Sequence, residues 1–187
     1  ARYARAMARH ELGAHATALD DLQTALGAGL DGKDRSDARF LLGLTQMELK
    51  QYAAAAATFN SLLKEEPNYA GADKAQYQLA WALKLQGQEA ESVKAFERLA
   101  AKWPNSPLAQ ESQYAKGDHA YANKDYAVAA KAYYAVFEKA DGTPLGEQAT
   151  HKLAWCYYHQ GKFGNSQQTF AYQRQRYSQG RLAADAA

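Results

Sequence analysis

The side chains of this sequence that could do chemistry include five histidines, and their spacing decides whether they could bind a metal. They are His10, His15, His119, His151 and His159. His151 and His159 lie about two turns apart on one predicted helix, too far to hold one ion without a third ligand. No group of cysteine and histidine has the spacing of a zinc site. The sequence therefore predicts no metal site.

The one cysteine has a histidine one helical turn away, which is the spacing of a nucleophile and its base. These residues are Cys156 and His159. The positions equivalent to Cys156 in the repeat described below hold Thr45, Ala82 and His119. These side chains are small or medium in size and suit packing, so we interpret Cys156 as a buried structural thiol.

The sequence also contains two pairs of neighbouring carboxylates that could act as an acid and a base, Asp20-Asp21 and Glu65-Glu66. Neighbours on a helix point in different directions, so we expect solvated faces here and no acid–base pair. The chain has no glycine-rich phosphate loop, no GxSxG elbow and no HExxH helix. We expect neither a cofactor nor an enzymatic activity, unless a catalytic domain lies beyond this sequence.

The composition predicts an all-α protein. Valine occurs only at Val93, Val128 and Val136 and isoleucine is absent, which argues against a sheet-rich fold. The net charge of +2, from 22 basic and 20 acidic residues, gives no reason to expect a nucleic-acid partner. No apolar run approaches the roughly 18–20 residues of a membrane-spanning helix. A single cysteine also excludes an intrachain disulfide.

The chain repeats itself with a period of 37 residues. Small residues recur at this step near the start of each copy, and large rings recur further on. The first set is Ala38, Ala75, Ser112 and Ala149, and the second is Phe59, Phe96, Tyr133 and Phe170. Ala1-Arg2-Tyr3 is in register with Ala38-Arg39-Phe40. We therefore predict one domain, 1–187, of five repeats: 1–35, 36–72, 73–109, 110–146 and 147–183.

Each repeat has the pattern of two helices joined by a short turn. In the second repeat, apolar side chains recur at helical spacing over 37–49 and again over 52–64, on either side of Lys50-Gln51. Pro67 prevents the second helix from continuing. A small residue of the first helix, here Gly43, is predicted to face a small residue of the second, which brings the two axes close together.

This pattern resembles the tetratricopeptide repeat, which has a leucine and a small residue in its first helix, an alanine and an aromatic residue in its second, and a closing proline. The second repeat carries it at Leu42-Gly43, Ala55, Phe59 and Pro67. The family's tryptophan early in the first helix is missing, and its position holds Arg39, Gln76, Gln113 and Thr150. The resemblance implies a right-handed superhelical solenoid that binds proteins. The form of the repeat is similar to that of bacterial envelope proteins, such as outer-membrane assembly lipoproteins and TolA-binding periplasmic proteins, which implies a periplasmic or envelope location.

In the family, the first helices line the concave face, and here that stripe is rich in aromatic rings. Tyrosine and tryptophan anchor interfaces because they bury much area at little entropic cost. The candidate partner-binding residues are Tyr77, Trp81, Tyr114, Tyr121, Trp155 and Tyr158. The alternative is that these rings pack the first helices against each other. Leu44 and Asp118 occupy places where chaperone-binding members carry lysine and asparagine, so we expect no carboxylate clamp.

The two ends predict a piece of a longer chain. Leu182 through Ala186 match Leu145 through Ala149 and would open a sixth repeat without a polar cap, which would favour end-to-end self-association. At the other end, Arg2, Arg5 and Arg9 share one helix face and are interpreted as a solvated cap, with pairing to an acidic upstream segment as the alternative.

Two hypotheses about function follow. In the first, the chain is a non-catalytic scaffold that binds a peptide or helix of a partner protein in the ring-lined groove. In the second, it is a structural component of a cell-envelope assembly and contacts its partners through the convex face and the loops.

Overall fold

The computed structural model describes residues 1–186, and this part of the chain is all-α, as predicted. It contains ten α-helices, one 3-10 turn and no strand. The helices are α1 (Arg2–Glu11), α2 (His15–Gly27), α3 (Gly32–Glu48), α4 (Tyr52–Glu65), α5 (Ala72–Leu85), α6 (Glu89–Lys102), α7 (Leu108–Ala122), α8 (Tyr126–Ala140), α9 (Pro144–His159) and α10 (Phe163–Arg176), and the 3-10 turn is Ala184–Ala186.

The helices group into two compact bodies, the N-terminal body Ala1–Ala95 and the C-terminal body that begins at Phe96. In the N-terminal body each of the helices α1 to α5 packs against the next, and in the C-terminal body the same holds for α7 to α10. The N-terminal core centres on Phe59, Leu62 and Leu79, and the C-terminal core on Tyr133 and Val136. The predicted helix pairs are therefore present. The expectation that they all form a single domain stays a prediction.

The turn between the two helices of each repeat is the same structure five times. Its central residue has a positive φ at Gly13 (75°), Lys50 (57°), Gly87 (79°), Lys124 (62°) and Gly161 (72°). In the second repeat the N–H of Lys50 donates to Met47 O and the N–H of Gln51 donates to Gln46 O, at 2.9 and 2.8 Å. These two hydrogen bonds satisfy the last carbonyls of the first helix, and the chain reverses its direction at this turn.

Small residues of the two helices face each other in the third repeat, as predicted, whereas in the fourth repeat the small residue of the first helix faces a ring. A Cβ added to Gly117 would come within 2.7 Å of the ring of the fully buried Tyr133. In the third repeat, Ser92 Oγ donates to Ala80 O at 2.9 Å. The large ring of the second helix thus needs a small residue opposite it.

Two of the N-terminal arginines interpreted as a solvated cap form ion pairs within the chain, although the side chain of Arg5 stays 54% exposed. Arg5 donates to both oxygens of Asp21 at 2.8 and 2.6 Å, and Arg9 Nη1 donates to Asp21 Oδ2 at 2.6 Å. Asp21 is buried, so the expectation that this carboxylate lies on a solvated face is wrong. Its partners come from α1, and this pairing holds the pKa of the Asp21 carboxyl below its usual value, chiefly through the hydrogen bond from Arg5.

The second carboxylate pair is more exposed but also engaged. Glu65 Oε2 accepts from Arg39 at 2.6 Å, and Glu66 forms a hydrogen bond with Ser36. These contacts tie the end of α4 to α3.

The segment after α10, predicted to open a sixth repeat, has no α-helix within the described residues. It lies against α9 and α10: the buried Glu147 accepts from the N–H groups of Arg181 and Leu182, at 3.1 and 2.8 Å. The side-chain amide of the fully buried Gln173 donates to Leu182 O at 3.1 Å. The predicted self-association through this end stays a prediction.

Candidate functional site

The C-terminal body carries a connected group of aromatic side chains that we call the C-terminal ring cluster. Its members are Tyr121, Tyr126, Trp155, Tyr158, His159, Phe163 and Phe170. Its exposed members are Trp155, Tyr158, His159 and Phe163, and the exposed fractions of Trp155, Tyr158 and Phe163 are 36%, 49% and 62%. Half-exposed rings that support one another form a preorganised apolar surface.

The repeat explains how the cluster is assembled. Tyr121 and Tyr158 are equivalent positions at the ends of α7 and α9, and Tyr126 and Phe163 are equivalent positions at the starts of α8 and α10. His159 joins the two repeats, because its ring stacks on Tyr126 with centroids 4.4 Å apart and lies 5.9 Å from the ring of Tyr121.

Trp155 is oriented by a chain of hydrogen bonds. Its indole N–H donates to Nε2 of His151 at 3.0 Å, and Nδ1 of His151 lies 3.3 Å from Oε1 of Gln173. His151 therefore accepts with Nε2 and carries its proton on Nδ1. Because Gln173 is fully buried, the chain anchors an exposed indole to the core.

Tyr114 and Tyr121, both candidates from the sequence, lie on α7 in different surroundings. Tyr114 packs on Tyr133 with ring centroids 5.4 Å apart, and burial, followed by the charge of Asp118, raises its pKa to about 12. Tyr121 lies in the C-terminal ring cluster, with Lys152 Nζ 4.8 Å from its ring centroid. Tyr114 is therefore more of a packing residue than Tyr121.

A recess of about 430 Å³ opens beside Tyr114 in the C-terminal body. It is lined by Tyr114, Pro144, Glu147, Gln148, His151, Lys152, Arg181 and Leu182. Its charged side chains are one carboxylate, Glu147, whose two oxygens accept backbone N–H groups, and two cations, Lys152 and Arg181. Lys152 Nζ lies 3.8 Å from Asp118.

The remaining two candidates lie together on α5 in the N-terminal body. The rings of Tyr77 and Trp81 make an edge contact with centroids 6.1 Å apart, and Lys84 Nζ lies 4.9 Å from the centroid of Trp81. Both rings are half-buried. They thus combine a packing contact with an exposed edge.

Sequence reasoning missed four members of the C-terminal ring cluster: Tyr126, His159, Phe163 and Phe170. A signal was present, because Tyr52, Tyr126 and Phe163 are in register in the 37-residue repeat at the start of the second helix, with Glu89 as the exception. The stripe considered for binding followed one face of the first helices, so it left out His159 at the end of α9 and the rings of the second helices.

The reactive residues have structural roles. Cys156 is fully buried, and burial raises the pKa of its thiol to about 12, as expected of a packing thiol. Among the described residues, no group of three or more histidine, cysteine, aspartate or glutamate side chains could hold a metal ion. None of the described helices is long and apolar enough to cross a membrane.

The helix pairs, their common turn and their small-residue crossings define a helical-repeat protein, and comparison with known families agrees. Sequence models of the tetratricopeptide repeat match residues 37–69, 74–106 and 114–179. These segments make up more than two thirds of the chain, which therefore belongs to the tetratricopeptide repeat proteins. No curated protein sequence matches the chain significantly. Membership of the bacterial envelope subgroup stays a prediction.

Solved structures share the fold along nearly the whole chain. A tetratricopeptide repeat protein from Parabacteroides merdae is 14% identical with a TM-score of 0.76, over 99% of this chain and 69% of that one. A MamA fragment from Desulfovibrio magneticus is 15% identical with a TM-score of 0.71, over 96% and 95%. YrrB, a tetratricopeptide repeat protein with an unusual peptide-binding site, is 16% identical with a TM-score of 0.70, over 99% and 89%. At these identities the likeness shows the fold.

Proposed function

We propose that this chain is a non-catalytic scaffold that binds a peptide or helix of a partner protein through aromatic side chains of its first helices. The residues we assign to the contact are Tyr77, Trp81, Tyr114, Tyr121, Trp155 and Tyr158. The C-terminal ring cluster contributes most, and Tyr114 contributes mainly by supporting the surface.

The observation that carries this proposal is the joint exposure of Trp155 and Tyr158. Their rings lie 5.5 Å apart, and each remains more than a third exposed. Large rings exposed side by side mark interaction sites more often than rings scattered singly. Because Trp155 is already held by His151, binding costs it little conformational entropy. YrrB, which shares this fold, is described as having a peptide-binding site, and this supports the same class of function for the present chain.

The experiment compares the double variant Trp155→Ala/Tyr158→Ala with a matched control, Tyr134→Ala. Tyr134 is also an exposed ring of the C-terminal body, at 44%, but it lies on α8, a second helix. A partner captured by the wild-type chain is purified, and its affinity for each variant is measured by calorimetry after circular dichroism has shown that the variants fold.

Under the proposal the double variant binds at least about tenfold more weakly, since interface rings commonly contribute 2 kcal/mol or more. The control should bind like the wild type. Unchanged binding of the double variant would refute the ring surface as the contact.

The envelope-assembly hypothesis makes the opposite assignment, because it places the contacts on the second helices and the loops. It predicts that Tyr134→Ala weakens binding and that the double variant does not. No specific observation in the structure favours it, so it stays a prediction together with the periplasmic location.

A further inference from the structure

The N-terminal body contains an open groove between α1 and α3 that none of the candidate residues lines. We call it the N-terminal groove, and it has a volume of about 320 Å³. Its lining residues are Tyr3, Met7, His10, Glu11, Asp37, Phe40, Leu41, Leu44 and Tyr69. This volume is at the lower end for ligand pockets, so it suits one large side chain and its neighbour.

The floor of the groove is apolar and supported from behind. The ring of Phe40 packs on the buried Phe59 and on Tyr69, with centroids 5.8 and 6.1 Å apart. Met7 remains 42% exposed at the surface. A methionine beside rigid rings adapts to apolar side chains of different shape, so this floor fits a leucine, methionine or phenylalanine of a ligand.

The acidic side chains of the groove have no basic counterpart in its lining. Glu11 and Asp37 supply carboxylates, and no lysine or arginine is among the described residues that line it. Tyr69 donates its hydroxyl to one oxygen of Asp37 at 3.0 Å, which fixes that carboxylate in place. The carboxylates also act on the hydroxyl of Tyr3, because its pKa is raised first by burial and then by the charges of Asp37 and Asp34.

His10 adds a third acceptor. The hydroxyl of Thr45 donates to Leu41 O at 2.8 Å, so toward His10 Nδ1, 3.0 Å away, it serves as an acceptor. The proton of His10 is therefore on Nδ1, and Nε2 holds a lone pair. Burial, followed by the proximity of His15, lowers the pKa of His10 and so favours the neutral ring.

We propose that the N-terminal groove binds a partner segment in which a large apolar side chain is adjacent to a lysine or arginine. The apolar side chain lies on Phe40, Leu44 and Met7, and the cation pairs with Asp37 and Glu11. The argument is charge complementarity: a rim with two carboxylates and no cationic side chain, around an apolar floor, stabilises a cation and repels a carboxylate. The inference rests on the proposed function, because it names the chemistry of one part of the partner.

The sign of this charge is a local property. The chain as a whole carries +2, and the recess of the C-terminal body is lined by Lys152 and Arg181. A non-specific attraction of cations is therefore not expected, and binding should depend on the named carboxylates.

The test is a selection of random peptides, displayed on phage, against the purified chain and against a Met7→Lys variant. Met7 is exposed, so the lysine places a charge on the groove floor without disturbing the core. Peptides that bind the chain but not Met7→Lys should share an apolar residue next to lysine or arginine. The proposal is overturned if the Met7-dependent peptides lack basic residues, or if no peptide depends on Met7.

The carboxylates are tested with the selected peptides and two matched variants. Asp37→Asn keeps an acceptor for Tyr69 but removes the charge, and should weaken binding about tenfold, because charged hydrogen bonds exceed neutral ones by this order. Asp20→Asn makes the same change at an exposed position of α2 outside the groove and should leave binding unchanged. Equal affinity of the wild type and Asp37→Asn would refute the cation contact.

The experiments can distinguish a failure of the proposed function from a failure of the groove assignment. Trp155 and Tyr158 belong to the C-terminal body, whereas Met7 and Asp37 belong to the N-terminal body. If Trp155→Ala/Tyr158→Ala abolishes partner binding while no Met7-dependent peptide exists, the scaffold function holds and the groove assignment is wrong.

Discussion

The ring of Phe59 occupies the space that a side chain on Gly43 would need. A Cβ added to Gly43 would lie 2.5 Å from Phe59 Cε1, and Phe59 is fully buried. Two effects therefore oppose each other in Gly43→Ala: helix propensity favours alanine by about 1 kcal/mol, and overpacking costs about 1–3 kcal/mol.

Because the ring cannot move into solvent, we expect overpacking to prevail, so that Gly43→Ala lowers the free energy of unfolding by about 1 kcal/mol. Urea denaturation measures this. Gly164→Ala on α10 is the control, since nothing lies within 4 Å of a Cβ there, and it should stabilise the chain. A stabilising Gly43→Ala would show that the crossing is looser than described.

The turn between paired helices predicts a stabilising substitution. Lys50 and Lys124 adopt φ values of 57° and 62°, where three equivalent positions hold glycine. The left-handed conformation costs a residue with a Cβ about 1–2 kcal/mol, partly offset by the greater flexibility of glycine in the unfolded chain. Lys50→Gly and Lys124→Gly should each raise the free energy of unfolding by about 0.5–1 kcal/mol.

Thermal and urea denaturation would detect this gain. The matched control is Lys131→Gly, an exposed position inside α8, where glycine should cost about 1 kcal/mol. Destabilisation by the turn substitutions would mean that the lysine side chains make contacts that outweigh the strain.

The ion pairs of Asp21 predict a stability that is lost in acid. The hydrogen bond from Arg5, followed by the charges of Arg5 and Arg9, lowers the pKa of Asp21 in the folded chain. A lowered folded pKa stabilises the chain above the unfolded value of 3.8, and this contribution is lost as the pH falls further. Asp21→Asn should therefore lower the denaturation midpoint at neutral pH, and its difference from the wild type should shrink below about pH 4. A constant difference across that range would contradict the ion-pair assignment.

His10 predicts a second pH dependence, at higher pH. Its pKa is lowered from 6.5, first by burial. The imidazole of His10 therefore binds a proton more readily in the unfolded chain than in the folded chain. Stability is therefore complete above about pH 6.5 and declines as the pH falls below it. His10→Gln should flatten this part of the stability profile, whereas His119→Gln, a substitution in the C-terminal body, should keep it. Identical profiles for wild type and His10→Gln would contradict the assignment of a neutral, half-buried ring to His10.

The sequence by itself determined what depends on neighbours along the chain. The period of 37 residues fixed the helix pairs, because each turn, crossing and closing loop uses residues at constant offsets. The turn at Lys50 could be predicted for this reason, whereas Gly43 was expected to face a small residue of the second helix and lies against the ring of Phe59. The burial of Cys156 followed from the small and medium residues at its equivalent positions.

Only the tertiary structure decided which side chains meet across helices. Asp21 looks like a surface residue in the sequence, and its partners Arg5 and Arg9 lie 16 and 12 residues away on another helix. His159 joins the C-terminal ring cluster by stacking on Tyr126, on a different helix. Such contacts depend on the angle and distance between packed helices, which the repeat period does not specify. The sequence therefore determined the class of protein, and the packing decided which of its rings and charges lie together on one surface.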